Sequence, residues 1–544
     1  TTQKMGSHNL IAGYDEFHEL RNENNYQSGS DFRFFGPFMY VNGKLFVGAD
    51  PTVVGTATRS RIQWDPLLAQ SQTADLQTQS MFINDKWALS QKWSFNFGVR
   101  YDQTSGVNQA RVKTSDDSRI SPRLGAIYDV TGEGIHRVSL SYGRYAAKID
   151  GAISDTTSPA GRYATYVFRY NGPALNTPGT PVDQLLTTDE VLRRVFAWFQ
   201  ANGGANPNSP LVFQATVPGQ STRIDKPLHT PYMDEITLGY GLRISGNGYV
   251  RGDLIHRTWG DFYVIRTDMQ TGRTADGKLD VGLVENGSKS DFERNYNGVQ
   301  FQGAYKLFGR FNLGGNYTWS KLRGNVEGEE FNNATIPVGV VQPGGTAAFE
   351  TPSYPEYTTF DRNRPTGYLM GDIRHRANLW VQFDAPVPFG QLSLSALERY
   401  HTGQSFSATA PVVPAGITNP GYLQPPSAVQ YYFSDRGAYR LDDITSTDLN
   451  VVYSLPITKV NFFVKADLIN VFNEQGVEFV ENPTSTGGAV INKTVTLTST
   501  RFNPKTETPV LGTHYTLPAA FGQPVNKDAY QLPRTYRFAV GVKF

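Results

Sequence analysis

The 544-residue sequence contains no cysteine, so neither a disulfide framework nor a thiolate metal site can form. No charge of one sign is in excess: 50 Lys and Arg are balanced by 49 Asp and Glu, which gives no reason to expect a nucleic-acid partner. Long apolar runs are also missing, because no stretch approaches the roughly 18 to 20 residues that a membrane helix requires. A mean hydropathy of −0.40 would then indicate a soluble protein, unless membrane strands are hidden in alternating sequence.

Catalytic and metal-binding motifs are missing as well. The sequence has no G-x-S-x-G, no Walker A motif, no H-E-x-x-H and no paired cysteines. The segment DGKLD (276–280) offers few oxygen ligands and lacks the spacing of a calcium loop. We therefore predict that the protein is not an enzyme and that it has no cofactor and no catalytic or metal site.

What the sequence does contain is alternation with period two. In WSFNFGVRYD (93–102) every second residue is apolar, and the residues between are Ser, Asn, Gly, Arg and Asp. The pattern recurs in ITLGYGLR (236–243), FNLGGNYTWS (311–320), LNVVYSL (449–455) and NFFVKADL (461–468). Such segments predict β-strands with one apolar and one polar face, and hydropathy averaging misses a membrane span of this kind.

The connections between these strands are alternately very short and very long. The short ones lie at 89–92, 131–134, 245–248, 307–310, 386–390 and 456–459, and long polar stretches lie near 20–75, 102–120, 146–230, 266–292, 323–372, 403–443 and 473–533. A soluble sandwich has no reason to alternate in this way, because both of its ends are in water. An outer-membrane barrel has tight periplasmic turns and long extracellular loops. Aromatic residues at strand ends, such as Trp93, Tyr101 and Trp319, fit its interfacial girdles.

The alternating segments amount to about fourteen membrane strands in about seven hairpins, the last of them at 534–544. We therefore predict an all-β protein with a transmembrane antiparallel β-barrel and long extracellular loops. In the last strand the apolar residues are expected to face lipid; they are Tyr536, Phe538, Val540, Val542 and Phe544.

Several segments carry a family resemblance in their order along the chain. They include SPRLGAIYDVTGEG (121–134), DEITLGYGLRISGNG (234–248), KADLINVFNEQ (465–475) and LPRTYRFAVGVKF (532–544). Together they resemble the TonB-dependent outer-membrane receptors, most closely the Oar-like branch. The resemblance implies a barrel of about 22 strands that holds a plug domain. Residues 1–544 are then expected to be the C-terminal portion of the barrel, with the plug and the N-terminal domains not in this chain.

The resemblance also implies a location, a function and partners. The location is the outer membrane of a Gram-negative bacterium. The function is active transport, in which a TonB complex acts through the plug and the extracellular loops recognise a bulky substrate such as a peptide or protein. The terminal strand resembles the C-terminal signal that the barrel assembly machinery recognises. The residues of this signal are the five lipid-facing residues of that strand. Membrane lipids, lipopolysaccharide and a surface-exposed lipoprotein or other protein are further expected partners.

The polar strand faces supply candidate residues of the barrel lumen. In a wide barrel such side chains can hold neighbouring strands or the plug together, which we favour, or they can touch a passing substrate. The candidate lumen-facing residues are Arg100, Arg243, Arg251, Asp253, Lys306, Asn316, Lys465 and Asp467.

The long loops supply candidate recognition residues, because they are expected to face the outside. In TTDEVLRRVFAWFQANGG (187–204) a capping box, an apolar face and two terminal glycines predict an amphipathic helix. Its aromatic residues could dock a ligand or partner, although packing on neighbouring loops is the favoured alternative. The candidate extracellular recognition residues are Phe196, Trp198, Phe199, Tyr354, Tyr357, Tyr431 and Tyr432.

Two other functions stay open at the level of the sequence. The first is a passive channel formed by a closed barrel of about fourteen strands, which an even strand number allows. The second is a structural or adhesive surface protein of the outer membrane, whose loops hold partner proteins and which has lost transport. Strand number would separate the first from a receptor, and a stoichiometric surface partner would favour the second.

Overall fold

The computed structural model describes residues 6–35, 39–47, 60–147, 151–177, 179–327, 340–341, 353–385, 387–413, 416–426, 428–457, 460–478 and 491–543. Most residues in these ranges that have regular structure are in strands. The α-helices of these ranges are α1 (Gly151–Thr156), α2 (Thr188–Ala201) and α3 (Pro355–Thr358), and the 3-10 helices are Val182–Gln184 and Lys527–Ala529. None of the described helices is long and apolar enough to cross a membrane.

A path of long antiparallel strands, each hydrogen-bonded to the next in chain order, forms one large sheet, which we call the wall. Its strands are β1 (Ser7–Arg21), β2 (Ala74–Ala88), β3 (Trp93–Val107), β4 (Lys113–Asp129), β5 (His136–Ala146), β6 (Tyr232–Ile244), β7 (Gly248–Gly260), β8 (Arg294–Leu307), β9 (Phe311–Gly324), β10 (His375–Ala385), β11 (Gln391–His401), β12 (Ile444–Ile457), β13 (Val460–Ile469) and β14 (Thr535–Lys543). The short strand Gly367–Tyr368 pairs with the end of β9. The prediction of about fourteen antiparallel strands is confirmed.

The long connections and the short turn 108–112 lie at one end of the wall, and six short connections lie at the opposite end. The short ones are 89–92, 130–135, 245–247, 308–310, 386–390 and 458–459, which agrees with the sequence prediction to within a few residues. The long ones are 22–73, 147–231, 261–293, 325–374, 402–443 and 470–534. All of the long connections therefore meet at one end, which we call the long-loop end.

One predicted long loop is wrong. Residues 102–120 form a paired hairpin, because β3 continues to Val107 and β4 begins at Lys113. The ladder includes the pairs Gln103 with Ser118 and Thr104 with Asp117. The side chains are polar on both faces here, so the alternation that marks a membrane strand is lost while the main-chain hydrogen bonds continue.

The two faces of the wall differ in polarity. Directly paired residues of antiparallel strands lie on the same face. One such row is Leu140, Leu238, Leu254 and Val299. Its three leucines are 53%, 46% and 53% exposed. A row on the other face is Arg251, Gln302, Asn316 and Asn378. The exposed aliphatic face suits lipid, and the polar face suits a lumen.

Strands β1 and β14 are the two ends of this path. Within the described ranges, β1 pairs only with β2 and β14 only with β13. On β14 the apolar residues pair directly with apolar residues of β13; the pairs are Tyr536 with Leu468, Phe538 with Ala466, Val540 with Val464 and Val542 with Phe462. These four β14 side chains are exposed and share one face. Phe544, the fifth residue of the predicted assembly signal, lies outside the described residues.

At the long-loop end, segments from several connections fold into small sheets with apolar cores. One sheet contains the strands Phe32–Phe35, Arg61–Trp64, Thr165–Arg169 and Val212–Thr216. Helix α2 packs against this sheet, and Ile62, Phe168, Val191 and Phe199 are fully buried between them.

A second core joins three other connections. It combines the strands Thr409–Val412 and Ala428–Tyr432 with helix α3 and includes Tyr422, Val429 and Phe502. The remaining short strands are Met39–Val41, Lys44–Phe46, Thr222–Arg223, Tyr263–Arg266, Gly282–Asn286, Val340–Val341, Ser405–Phe406, Tyr439–Arg440, Thr496–Leu497 and Tyr515–Thr516. We call the described parts of all six long connections the cover.

A charge on the apolar face should be far more destabilising than the same charge on the polar face. We expect Leu238→Arg, near the middle of β6, to lower the free energy of unfolding by about 2–4 kcal/mol, because its guanidinium would lie in hydrocarbon. The adjacent control Thr237→Arg faces the polar side and should change it by less than about 1 kcal/mol. Urea unfolding of the membrane-inserted protein measures both variants, and equal losses would contradict this assignment of the faces.

Candidate functional site

Charged contacts connect neighbouring strands on the polar face. Arg100 on β3 donates hydrogen bonds to Asp102 and to Ser80 on β2, both at 2.7 Å. Its guanidinium also donates to Asp15 on β1, at 3.2 Å. One side chain therefore connects three adjacent strands.

Two further pairs on the polar face consist of residues two positions apart in one strand. Arg251 donates hydrogen bonds to Asp253 at 2.8–3.0 Å, and Asp253 is buried. The Lys465 ammonium lies 3.0 Å from Asp467, which also accepts a 2.6 Å hydrogen bond from Asn450 on the neighbouring strand. The charges in these pairs are largely neutralised within the wall.

The other predicted lumen residues lie on the same polar face. Asn316 accepts a 2.9 Å hydrogen bond from Asn378, and Arg243 donates one of 2.6 Å to the carbonyl of Glu133 in a short turn. Lys306 is paired with Asn312 in the β8–β9 ladder. These contacts hold the wall together, and contact of any of the eight residues with a plug or a substrate stays a prediction.

Helix α2 begins where the sequence predicts it. Thr187 accepts a 3.3 Å hydrogen bond from the amide of Glu190 and thereby caps the helix. The Glu190 carboxylate accepts hydrogen bonds of 2.6–2.7 Å from Arg193 and Arg194, which lower its pKa to about 2. Glu190 is therefore charged at neutral pH and keeps the outer side of the helix polar.

The aromatic residues of α2 pack into the cover. The Phe199 ring is fully buried and lies 4.9 Å from the ring of Phe168. Trp198 packs edge-on against Tyr170 at 4.8 Å, and Phe196 is partly buried in the same cluster. Packing on neighbouring loops was the favoured alternative for this helix, and a contact of these three residues with a ligand stays a prediction.

Buried tyrosines form the centre of the second core. The hydroxyl of Tyr422 donates a 2.7 Å hydrogen bond to Glu356, and burial together with this carboxylate raises the pKa of Tyr422. The predicted recognition residues Tyr354, Tyr357, Tyr431 and Tyr432 are 5%, 4%, 2% and 6% exposed. Their contact with a ligand stays a prediction, and it requires the cover to open.

Hydrogen bonds also join connections that are distant in sequence. Asp280 accepts them from the amides of Leu423 and Gln424 at 3.2 and 2.9 Å, and Arg273 donates one of 2.6 Å to the carbonyl of Gly421. Connections 261–293 and 402–443 are therefore packed together. In the part of the chain that the structure describes, no three His, Asp or Glu side chains are grouped so as to hold a metal ion.

The structure contains a cationic pocket that the sequence did not indicate. Its volume is about 770 Å³, and it lies where Gly367–Tyr368 pairs with the end of β9. The arginines that line it are Arg323, Arg362, Arg374, Arg436 and Arg440. They come from three separate parts of the sequence, and only the pairing of those parts brings them together.

A broad antiparallel sheet with one apolar face, one polar face and all long connections at one end defines the wall of an outer-membrane β-barrel. The family described as "TonB dependent receptor-like, beta-barrel" matches residues 6–473. The chain therefore belongs to the TonB-dependent receptor β-barrel family, and its location is the bacterial outer membrane.

The relatives that this chain matches are longer than the chain. The TonB-dependent transporter Oar of Myxococcus xanthus is 23% identical over 468 residues, which are 82% of this chain and 40% of Oar. Among solved structures, the outer membrane transporter YddB from Escherichia coli has 12% identity and a TM-score of 0.43, over 88% of this chain and 58% of YddB. The FrpB iron transporter from Neisseria meningitidis has 9% identity and a TM-score of 0.42, over 86% of this chain and 56% of FrpB. The chain thus spans 40–58% of the length of these relatives. The family match and the similarity to Oar confirm the predicted resemblance to Oar-like receptors.

Truncating the buried ring of Phe199 should loosen the cover and leave the wall intact. We expect Phe199→Ala to destabilise the packing of α2 by about 3–5 kcal/mol, because it opens a cavity between helix and sheet. Limited proteolysis of the membrane-inserted protein should then cut within 147–231, and the wall strands should stay protected. The control Arg193→Ala removes a side chain that is 68% exposed and should be cut no faster than the wild type. Unchanged proteolysis of Phe199→Ala would argue against this packing.

Proposed function

We propose that this chain forms the wall and the extracellular cover of a TonB-coupled active transporter for a bulky substrate such as a peptide or protein. The family match over residues 6–473 carries the proposal. The continuous polar face of the wall supports it, because a passage for a polar substrate needs such a lining. In this role the barrel binds and guides a substrate and performs no chemistry.

The barrel of this transporter includes further strands and a plug outside this chain. Both β1 and β14 have one edge without a strand partner in the described ranges, and main-chain groups in hydrocarbon require partners. A barrel of about 22 strands would be wide enough to hold a plug. The TonB complex would pull on that plug and open a passage along the polar face.

The polar face is suited to passage because several of its charges are already paired. Arg100 with Asp102, and Arg251 with Asp253, leave little net charge to trap a substrate of either sign. A plug or a substrate can then form and break hydrogen bonds with Asn and Gln side chains of the wall at little net cost.

The cover is the recognition surface in this proposal. Several connections are joined in it by buried cores and by hydrogen bonds such as that from Arg273 to Gly421, so it can present one shaped surface to a large ligand. Because most of these aromatic rings pack in the cores of the cover, we expect the exposed side chains of the cover to make the first contacts with a ligand. A surface-exposed lipoprotein or another protein seated on it is a further proposed partner.

Uptake should depend on the proton-motive force. A tryptic digest of casein serves as the peptide probe, and mass spectrometry of the medium measures which peptides the cells remove. We expect a subset of peptides to be removed by wild-type cells, and to remain in the medium when the gene is deleted or a protonophore is added. Deletion of a general porin gene, whose product does not interact with TonB, provides the control for non-specific permeability.

The three candidate functions predict different results in that experiment. Removal that requires the gene and persists with the protonophore would identify a passive channel. No difference between wild type and deletion, together with a stoichiometric surface protein that purifies with the chain, would favour the adhesive function. Either result contradicts TonB-coupled transport of peptides.

The terminal residue should matter for assembly before it matters for transport. We expect deletion of Phe544 to lower the amount of folded barrel in the outer membrane several-fold, because we propose that the assembly machinery reads the apolar face of β14 together with this residue. Lys543→Gln alters the adjacent residue on the opposite face and serves as the control. The heat-modifiable band on electrophoresis measures folding, and normal folding without Phe544 would refute this role.

A further inference from the structure

The apolar face of β9 changes from aromatic to cationic at the long-loop end. Tyr317, Trp319, Lys321 and Arg323 occupy every second position of the strand and therefore lie on one face. Tyr317 pairs with Phe301, which places them all on the apolar face. The Lys321 ammonium lies 5.1 Å from the centre of the Trp319 ring, and Arg323 is exposed.

Further cations converge on Tyr368, which pairs with Arg323 at the end of β9. The guanidinium carbons of Arg374, Arg323 and Arg440 lie 4.4, 5.3 and 6.0 Å from the centre of the Tyr368 ring. The ring attracts each cation, but the cations also repel one another. An anion placed among them would relieve this repulsion.

Carboxylates neutralise only part of this charge. Asp372 is fully buried and accepts hydrogen bonds from Arg374, at 3.2 Å, and from Arg440. Among the described residues, Lys321 and Arg323 contact aromatic rings and form no ion pair. Arg323, Arg374 and Arg440 line this part of the pocket, and Lys321 lies two residues before Arg323 on the same face. Among the described residues, the ion pairs of these four cations involve one carboxylate, Asp372.

The rest of the pocket is closer to neutral. Arg362 lies 3.2 Å from Asp435, and Arg436 lies 2.9 Å from Glu327. Asp361 also lines the pocket. The excess of positive charge therefore belongs to the side that β9 and Tyr368 form.

The phenol of Tyr368 responds to this excess. Its strand belongs to a long connection, beyond the membrane-spanning part of the wall. A hydrogen bond with Arg374, together with the charges of Arg374, Lys321 and Arg323, lowers the pKa of Tyr368 from its usual value. The positive charges around this ring therefore favour its negative form.

The height of the pocket indicates where an anion placed among these cations would come from. Aromatic girdles mark the membrane interface, and at about 3.3 Å per residue Lys321 and Arg323 lie about 7 and 13 Å beyond Trp319 along the strand. Lipid headgroups occupy this zone, and arginine forms bidentate hydrogen bonds with phosphoryl oxygens. We propose that the pocket binds phosphoryl groups and that the headgroup of an outer-leaflet lipid supplies them.

The test compares the wild-type chain with the double variant Lys321→Gln/Arg323→Gln, which leaves the buried Asp372 contacts in place. Each protein is purified from outer membranes in a phosphorus-free detergent, bound phosphorus is measured per chain, and native mass spectrometry identifies the lipid. We expect the double variant to bind phosphorylated lipid about thirtyfold more weakly, because each surface cation contributes about fivefold. The control Lys92→Gln/Arg310→Gln makes the same change of charge in the short turns and should match the wild type.

A second arm distinguishes the two sources of phosphate. Inorganic pyrophosphate is added to protein that has been stripped of lipid, and the melting temperature is measured. The lipid source would be overturned if the wild type retained no lipid phosphorus on purification and pyrophosphate raised the melting temperature of the wild type but not of the double variant. The pocket would then be assigned to a soluble phosphorylated ligand. Retention of lipid that the double variant loses would support it.

Equal bound phosphorus in the wild type, the double variant and the control would overturn the phosphoryl site itself. Electrophoresis without heating shows whether the double variant is folded. If it is not, Arg323→Gln alone replaces it, with an expected loss of about fivefold in lipid binding. None of these measurements depends on transport, so their outcome is separate from that of the proposed function.

Discussion

Main-chain hydrogen bonding within the membrane is the constraint on which the wall depends. An N–H or C=O group in hydrocarbon has no water to bind, so each must find its partner on a neighbouring strand. The ladders that satisfy this requirement connect β1 to β14 in chain order. Because successive side chains of a strand point to opposite faces, the same ladders create a face for lipid and a face for the lumen.

The wall could be predicted because its signal is local. The alternation in 93–102 and the short turn before it lie within one stretch of sequence and need no knowledge of distant residues. The error at 102–120 has the same origin. Beyond the membrane both faces of a strand meet water, so polar residues such as Gln103 and Thr104 follow one another, and a strand cannot be told from a loop by its pattern.

The cover could be predicted only in its parts. The capping of α2 by Thr187 is a local event, and the sequence indicated it. The contacts of Phe199 with Phe168, and of Tyr422 with Glu356, join separate segments of the chain, and no periodic pattern specifies which segments meet. Aromatic residues in a long loop are therefore ambiguous in sequence, since the same ring suits a ligand site or a buried core, and the surrounding fold decides between them.

Three charged segments of the polar face share one spacing. Residues two apart in a strand share a face, so RYD (100–102), RGD (251–253) and KAD (465–467) each pair a cation with its own carboxylate on the polar face. The segment KLR (321–323) follows the opposite pattern and places two cations side by side on the apolar face, beyond the aromatic residues. Self-paired charges suit a surface along which other groups must move, because they bind nothing strongly. Two cations that form no ion pair with the described residues suit a place where an anion from outside the chain completes the arrangement, and at this height on the wall the membrane itself supplies anions.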